Sequence, residues 1–349
     1  MNQHSHAPDL IADSSIDCIY NPLPNGLHYE WTIKALKAGK NVLLEKPSVS
    51  NAEEARSLFR HPILQEPKAP VLLEAFHYRF HPVWQTLLTL FDAQDVEKVE
   101  VVNSLLTGVF SRDDIRFVYS LSGGTLMDFG AYAVSSVRGV FEAEPSNIRS
   151  ATYRAMPDGF DKQCDEAVFA EYDFPNGGTA KFSVDLQATG GWWFPALTKN
   201  WPNLKNSLPT ITIRLKATSE TSSDGLEKST QKFFTVHNYM GPHMYHRIDT
   251  STTTQLKNPQ GKVVKVEKKV DYIKAYKWPT VQEDRKGEEW WSTYRYQLEA
   301  FVDRVKGRTG SGVWVEGEDS IRQMEMIDAT YLKMGLPLRP TTKALEKVS

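Results

Sequence analysis

Moving a proton to or from a reacting group requires a side chain within hydrogen-bond reach of it. Three residues have the types for that work. Lys46 is the middle residue of the run Glu45-Lys46-Pro47, and Asp128 and Tyr132 lie four residues apart in Asp128-Phe-Gly-Ala-Tyr132. A free tyrosine, with a pKa of about 10, is a poor base at neutral pH. A lysine ammonium beside it favours the phenolate and lowers that pKa. Brought together, Tyr132 would act as general acid/base, with Lys46 as its electrostatic partner and a donor to the substrate hydroxyl. Spacing of i and i+4 lets Asp128 face the same cleft as Tyr132, to orient the lysine or bind a substrate hydroxyl. Read alone, a lysine before a proline at a strand end is also an ordinary solvated turn residue, and a helical tyrosine ordinary core. The residues by themselves leave both readings open.

Other side chains carry weaker signals. Asn25 and His28 stand where a strand hands over to a helix, at the carboxyl end of a sheet, where such folds bind ligands. A turn asparagine with a helix-capping histidine explains them equally. Arg79 could meet a phosphate or a carboxylate. Trp192 and Trp193 crowd a proline-containing stretch with Phe194 and Trp201; they would stack on a sugar or aromatic ring at a pocket wall, or pack in a dimer interface. His237, His243 and His246 have no carboxylate or cysteine at ligand spacing, so no metal site is expected. The only two cysteines, Cys18 and Cys164, form no CxxC pair. The chain reads as cytoplasmic and reduced.

The elements that must position these residues follow from pattern. The chain has 349 residues, 40% hydrophobic and 24% charged, enough for a large buried core. Its apolar runs are far too short for a membrane span. Net charge is −2 and no segment concentrates Lys and Arg, so nucleic acid is not an expected partner. Strands are predicted at 16–21, 41–45 and 70–76, with helices at 29–38 and after a Ser50 or Asn51 cap. Strand, helix, strand, helix, strand implies a parallel sheet with crossover helices. After Pro82 the pattern changes to strands at 97–106, 167–174, 179–186, 210–215, 232–236 and 262–270, with a hairpin turn at 175–178. Residues 218–230 read as a polar, structureless loop, and two helices at 288–305 and 319–334 close the chain.

Five segments together are specific. They are Ile19-Tyr-Asn-Pro-Leu-Pro-Asn-Gly-Leu-His28, Ala38-Gly-Lys-Asn-Val-Leu-Leu-Glu-Lys-Pro47, Glu74-Ala-Phe-His-Tyr-Arg-Phe-His-Pro82, Gly123-Gly-Thr-Leu-Met-Asp-Phe-Gly-Ala-Tyr132 and Tyr294-Arg-Tyr-Gln-Leu-Glu-Ala-Phe301. In this order the chain resembles the glucose–fructose oxidoreductase and inositol dehydrogenase family (Gfo/Idh/MocA), most of all its NADP-dependent D-xylose dehydrogenase and dimeric dihydrodiol dehydrogenase branch. The resemblance implies an α/β fold: a Rossmann-like parallel domain over 1–82, truncated at its start, then an α+β domain with a large, mainly antiparallel open sheet over 83–340, and a tail over 341–349. It implies Lys46 and Tyr132 beside the nicotinamide and the reacting carbon, with Asp128. It also places Asn25, His28, Glu45, Pro47 and Arg79 around the cofactor, NADP or NAD, with a small-molecule substrate and a homodimer formed through the C-terminal sheet.

Such a domain should open with a strand, a G-x-G-x-x-G turn and a helix. This sequence holds no such run, so the expected cofactor is a nicotinamide dinucleotide or none. Oxidation of a sugar, cyclic polyol or dihydrodiol by hydride transfer is the first functional expectation. The alternatives are an isomerase, dehydratase or cyclase that uses the Lys/Asp/Tyr pocket without cofactor, and a non-catalytic dimerising subunit.

Overall fold

The computed structural model describes residues 7–190, 198, 201–203, 208–221, 225–279 and 285–346. Trp192 and Trp193 lie outside them. Its first part alternates as the hydrophobic pattern requires: helix α1 (Ala7–Ala12), strand β1 (Cys18–Asn21), helix α2 (Asn25–Lys37), strand β2 (Asn41–Glu45), helix α3 (Ala52–Phe59) and strand β3 (Leu72–Ala75). The three strands pair in parallel in the order β1-β2-β3. The central strand β2 therefore buries its consecutive Val42, Leu43 and Leu44, as a strand covered on both faces does. Helix α2 starts at Asn25, four residues before the predicted start, because its first turn buries little and leaves no periodic signal. Asn51 caps α3, its side chain accepting the Glu54 amide at 3.1 Å.

After β3 a 3-10 turn (His77–Phe80) leads into helix α4 (Pro82–Leu88) and strand β4 (Val96–Leu106). A π-helical turn, Leu126–Gly130, then enters helix α5 (Ala131–Phe141). Strands β5 (Asn147–Ala155), β6 (Asp165–Asp173), β7 (Thr179–Ala188), β8 (Thr210–Leu215), β9 (Thr218–Thr221), β10 (Glu227–His237), β11 (Arg247–Lys257) and β12 (Val263–Ile273) follow. With β4 they make a nine-stranded sheet ordered β12-β11-β10-β8-β4-β7-β6-β5, with β9 beside β10. Strands β4 and β7 pair in parallel, and the other pairings described in this sheet are antiparallel. Helices α6 (Thr293–Val305) and α7 (Gly317–Lys333) complete the fold. The architecture is α/β: a Rossmann-like parallel sheet joined to a large, mainly antiparallel one. No helix among the described residues is long and apolar enough to cross a membrane.

Three expectations need correction. Residues 218–221 and 227–230 are not loop but a paired hairpin, Thr218 opposite Thr230. Its side chains are polar on both faces, so no hydrophobic alternation could announce it. Strand β11, rich in threonine, escaped for the same reason, and β5 because its burial follows no strict period of two. Helix α6 begins at Thr293, not 288, where Ser292 accepts the Arg295 amide at 3.2 Å. The last described residues return to α3: the Asn51 side chain donates to the Arg339 carbonyl at 3.0 Å, and Ser57 to that of Glu346 at 2.6 Å.

Candidate active site

Lys46 is delivered by the carboxyl end of β2. The turn that follows it is held by buried acceptors. Glu74 takes the Ser48 amide at 2.8 Å, and Glu54 takes the Ser50 amide at 2.9 Å. The Pro47 carbonyl meets Nδ1 of His28 at 2.9 Å, across a cis Lys46–Pro47 peptide. Asp128 and Tyr132 come from the π turn and the start of α5. That segment is pinned where Asp165 accepts the Leu126 amide at 2.6 Å and where Thr125 donates to the Glu166 carbonyl at 2.7 Å. Widened π turns recur at functional sites because they re-aim side chains within a helix.

The three residues meet. Nζ of Lys46 donates to Oδ1 of Asp128 at 2.6 Å and to its carbonyl at 3.2 Å. Arg116, from the loop before the π turn, donates through Nε to Oδ2 at 3.1 Å. Burial pushes the Asp128 carboxyl up, but Lys46 and Arg116 outweigh it and hold the group below the usual carboxylate range. The ammonium also lies 4.7 Å from the centroid of the Tyr132 ring. It faces the ring, and the Tyr132 hydroxyl bonds instead to Nε2 of His77 at 2.8 Å.

This overturns one expectation. Lys46 does not bring the Tyr132 pKa down. Tyr132 is 4% exposed; burial first, then the neighbouring Tyr294, Glu45 and Asp128, push it well above the ordinary phenol range. The lysine charge is spent on Asp128, so the resting phenol keeps its proton.

Around these groups opens a cleft of about 560 Å³. It is lined by Lys46, Asp128, Tyr132 and His77 and by the apolar Phe110, Ile115, Phe129, Met240 and Met244. Of the remaining expected residues, Asn25, His28 and Glu45 line it. Asn25 donates to the Ser122 carbonyl at 3.1 Å. His28 is fully buried, with Nε2 at 2.6 Å from the Leu23 carbonyl. Burial lowers its pKa to about 4 against the pull of the two carbonyls; a neutral ring donates to only one of them, and the ring lies between the loop before α2 and the Pro47 turn. Pro47 takes part through that carbonyl. Arg79 does not join them: it is ion-paired with Asp319 at the start of α7 and lines a different cleft.

Sequence reading missed His77, Tyr294, Arg116 and His243. His77 stood inside the segment Glu74–Pro82, just past a strand's carboxyl end, and that position was its only signal. Tyr294 stacks on the His77 ring, centroids 4.1 Å apart. Of the other histidines, His237 meets Asp249 at 3.1 Å, and His246 accepts the Ala275 amide at 2.9 Å. His243 lines the cleft. Among the described residues no three His, Cys, Asp or Glu side chains gather as a metal site.

The chain matches the model of an oxidoreductase family with an NAD-binding Rossmann fold over residues 2–64 and that of the GFO/IDH/MocA C-terminal domain over residues 84–201. It is 36% identical over 173 residues to a D-xylose 1-dehydrogenase (NADP(+)) of Haloferax volcanii, covering 49% of this chain and 51% of that protein. It is 33% identical over 137 residues to a trans-1,2-dihydrobenzene-1,2-diol dehydrogenase of Xenopus laevis, covering 39% and 40%. The chain thus spans about half the length of the curated relatives it matches, or less. Among solved structures, the 3-ketoreductase KijD10 of Actinomadura kijaniata, in complex with NADP and TDP-benzene, shares the fold. Its TM-score is 0.63 at 20% identity, over 94% of this chain and 81% of that one. Two models of one family, matched in order along a chain with the corresponding fold, decide the matter: the chain belongs to the Gfo/Idh/MocA oxidoreductase family.

Proposed function

We propose that the chain is the oxidoreductase its family suggests, acting on a sugar, cyclic polyol or dihydrodiol-like substrate with NADP or NAD. The observation that carries this is the meeting of Lys46, Asp128 and Tyr132 in one cleft at the carboxyl ends of β1 and β2, where open parallel sheets take their ligands. The residues there suit the nicotinamide–ribose half of a dinucleotide. Glu45, with the Tyr20 hydroxyl on Oε1 at 2.6 Å, would accept from ribose hydroxyls. Asn25 offers its carboxamide oxygen, and Pro22, Leu23 and Pro24 supply apolar contact. When bound, the nicotinamide exchanges a hydride with the carbinol carbon.

This chain's own residues then manage the proton and the position of the oxygen. Lys46 donates to the substrate oxygen, Asp128 fixes the lysine head, and Tyr132 exchanges the hydroxyl proton. The apolar lining residues, Phe110 and Met244 among them, would pack against the rest of the substrate. The same reading includes a homodimer through the large sheet: edge strand β12 exposes Val264, Val266, Val270 and Tyr272 on one face, with Lys268 among them.

Calorimetric titration of the purified chain with NADP and NAD tests the proposal, followed by absorbance assays on a panel of aldoses, cyclic polyols and trans-dihydrodiols. Micromolar cofactor binding and turnover of at least one substrate class are expected. A folded chain that binds neither dinucleotide at millimolar concentration would overturn the reading in favour of cofactor-free proton transfer. Light scattering reads the dimer, and a monomer at micromolar concentration would remove it.

A further inference from the structure

Among the titratable groups of the cleft that the mechanism above leaves unused, His77 bonds to the Tyr132 hydroxyl. His77 follows β3 in the 3-10 turn, is 3% exposed, and reaches the Tyr132 hydroxyl from a position 55 residues away in the chain. Its ring is clamped: stacked on Tyr294 at 4.1 Å and set edge-on to Tyr132 at 5.4 Å between centroids. Its other nitrogen, Nδ1, is buried and has no partner. Native structures seldom leave a buried polar atom unpaired without a reason.

Burial first, then the charges of Lys46 and His243, lower the His77 pKa to about 3. The resting ring is therefore neutral, with one nitrogen bare and one protonated. A phenol is the more acidic donor and an imidazole nitrogen the stronger acceptor. The Tyr132 hydroxyl thus donates to Nε2, and the ring hydrogen sits on Nδ1.

We propose that His77 is a positioning residue for Tyr132: it aims the phenol and receives its proton at Nε2 while Tyr132 takes up the substrate hydroxyl proton. The inference rests on the oxidoreductase reading and deepens it. In the oxidation direction the carbinol C–H bond breaks and its electron pair leaves as hydride to the nicotinamide acceptor. The substrate O–H bond breaks as the C=O bond forms, and that proton binds the Tyr132 oxygen. The proton originally on Tyr132 moves to Nε2 of His77; once product has left, the imidazolium returns it to the Tyr132 oxygen while Tyr132 gives up the substrate-derived proton to water in the open cleft. Tyr132 ends as it began, a neutral phenol. Departure of hydride makes the substrate hydroxyl strongly acidic, so the transfer runs downhill even to an imidazole with a depressed pKa. The help is thus confined to the transition state, where it raises kcat.

Two measurements test this. Nitrogen-15 NMR of the full chain with labelled histidine reads the ring directly, without cofactor. Nε2 of His77 should appear unprotonated and hydrogen-bonded, and its shift should move in Tyr132→Phe. A protonated Nε2 with a bare Nδ1 would overturn the proposal. Steady-state kinetics of His77→Gln, whose carboxamide can still hold the phenol but cannot take its proton, should show kcat at least tenfold lower with KM within about twofold. His77→Asn serves as a second variant should the first fold poorly. Full kcat in His77→Gln would overturn this proposal alone. If the unaltered chain turns over none of the panel substrates, this proposal and the parent reading fall together.

Discussion

Two buried cation–carboxylate pairs adjoin the Gly123-Gly124 turn, and each closes at 2.6 Å: Lys46 with Asp128, and Arg339 with Asp165. Their surroundings differ. Arg339 and Asp165 are both 0% exposed. The guanidinium also donates to the Gly123 carbonyl at 2.6 Å and the Tyr331 hydroxyl at 2.8 Å, while Asp165 takes the Leu126 amide on its second oxygen. Gly124 packs so close, at φ +133°, that a Cβ there would strike both partners. The Lys46 pair opens instead on the cleft, beside a phenol that keeps its proton and an imidazole nitrogen without a partner. A buried charge whose hydrogen bonds are all made serves to hold a shape. One left next to unmade bonds is available for chemistry. The first pair also anchors the π turn that carries Asp128, so the sealed knot positions the open one.

The contrast can be broken by mutation. The largest effect on turnover is expected of Tyr132→Phe: kcat should fall about 10²–10⁴-fold, with a loss of only about 1–3 kcal/mol in stability as the buried His77 Nε2 loses its partner. Arg339→Met should do the reverse, costing about 3–5 kcal/mol of stability by leaving Asp165 buried and uncompensated. Denaturant unfolding measures it, and a wild-type midpoint would erase the distinction between the two pairs.

Glu74 falls between them: fully buried and accepting the Ser48 amide. Burial raises its pKa to about 7. The unfolded carboxyl releases its proton near the ordinary value of about 4.3, whereas the folded one keeps it. Stability from this group therefore declines as pH rises from about 4.3 to 7 and then levels off. Glu74→Gln should flatten that decline, a gain of up to about 3 kcal/mol at pH 8. An unaltered pH–stability curve would refute the assignment. The smallest effect belongs to Arg60→Ala, which removes a solvent-exposed pair with Glu318; neither melting temperature nor turnover should change measurably.

Much of this was legible beforehand, and unevenly. The three parallel strands and the 167–186 hairpin announced themselves because each is a short, largely apolar run bounded by turn residues. Lys46, Asp128 and Tyr132 were legible as residue types within recognisable segments. Strands β9 and β11 were not, since they bury little and pair by register alone. Arg116 and His243 were not either, because loops bring them to the cleft and no spacing announces a loop's destination.

The sequence by itself determined which chemical groups the site holds and which local elements present them: a lysine at a strand's carboxyl end, and a carboxylate and a phenol one turn apart. Only the tertiary structure decided their protonation and partnership. A pKa answers to neighbours in space and to burial, not to distance along the chain. Asp128 captures the lysine charge, burial keeps the proton on Tyr132, and His77 stands where that proton can go.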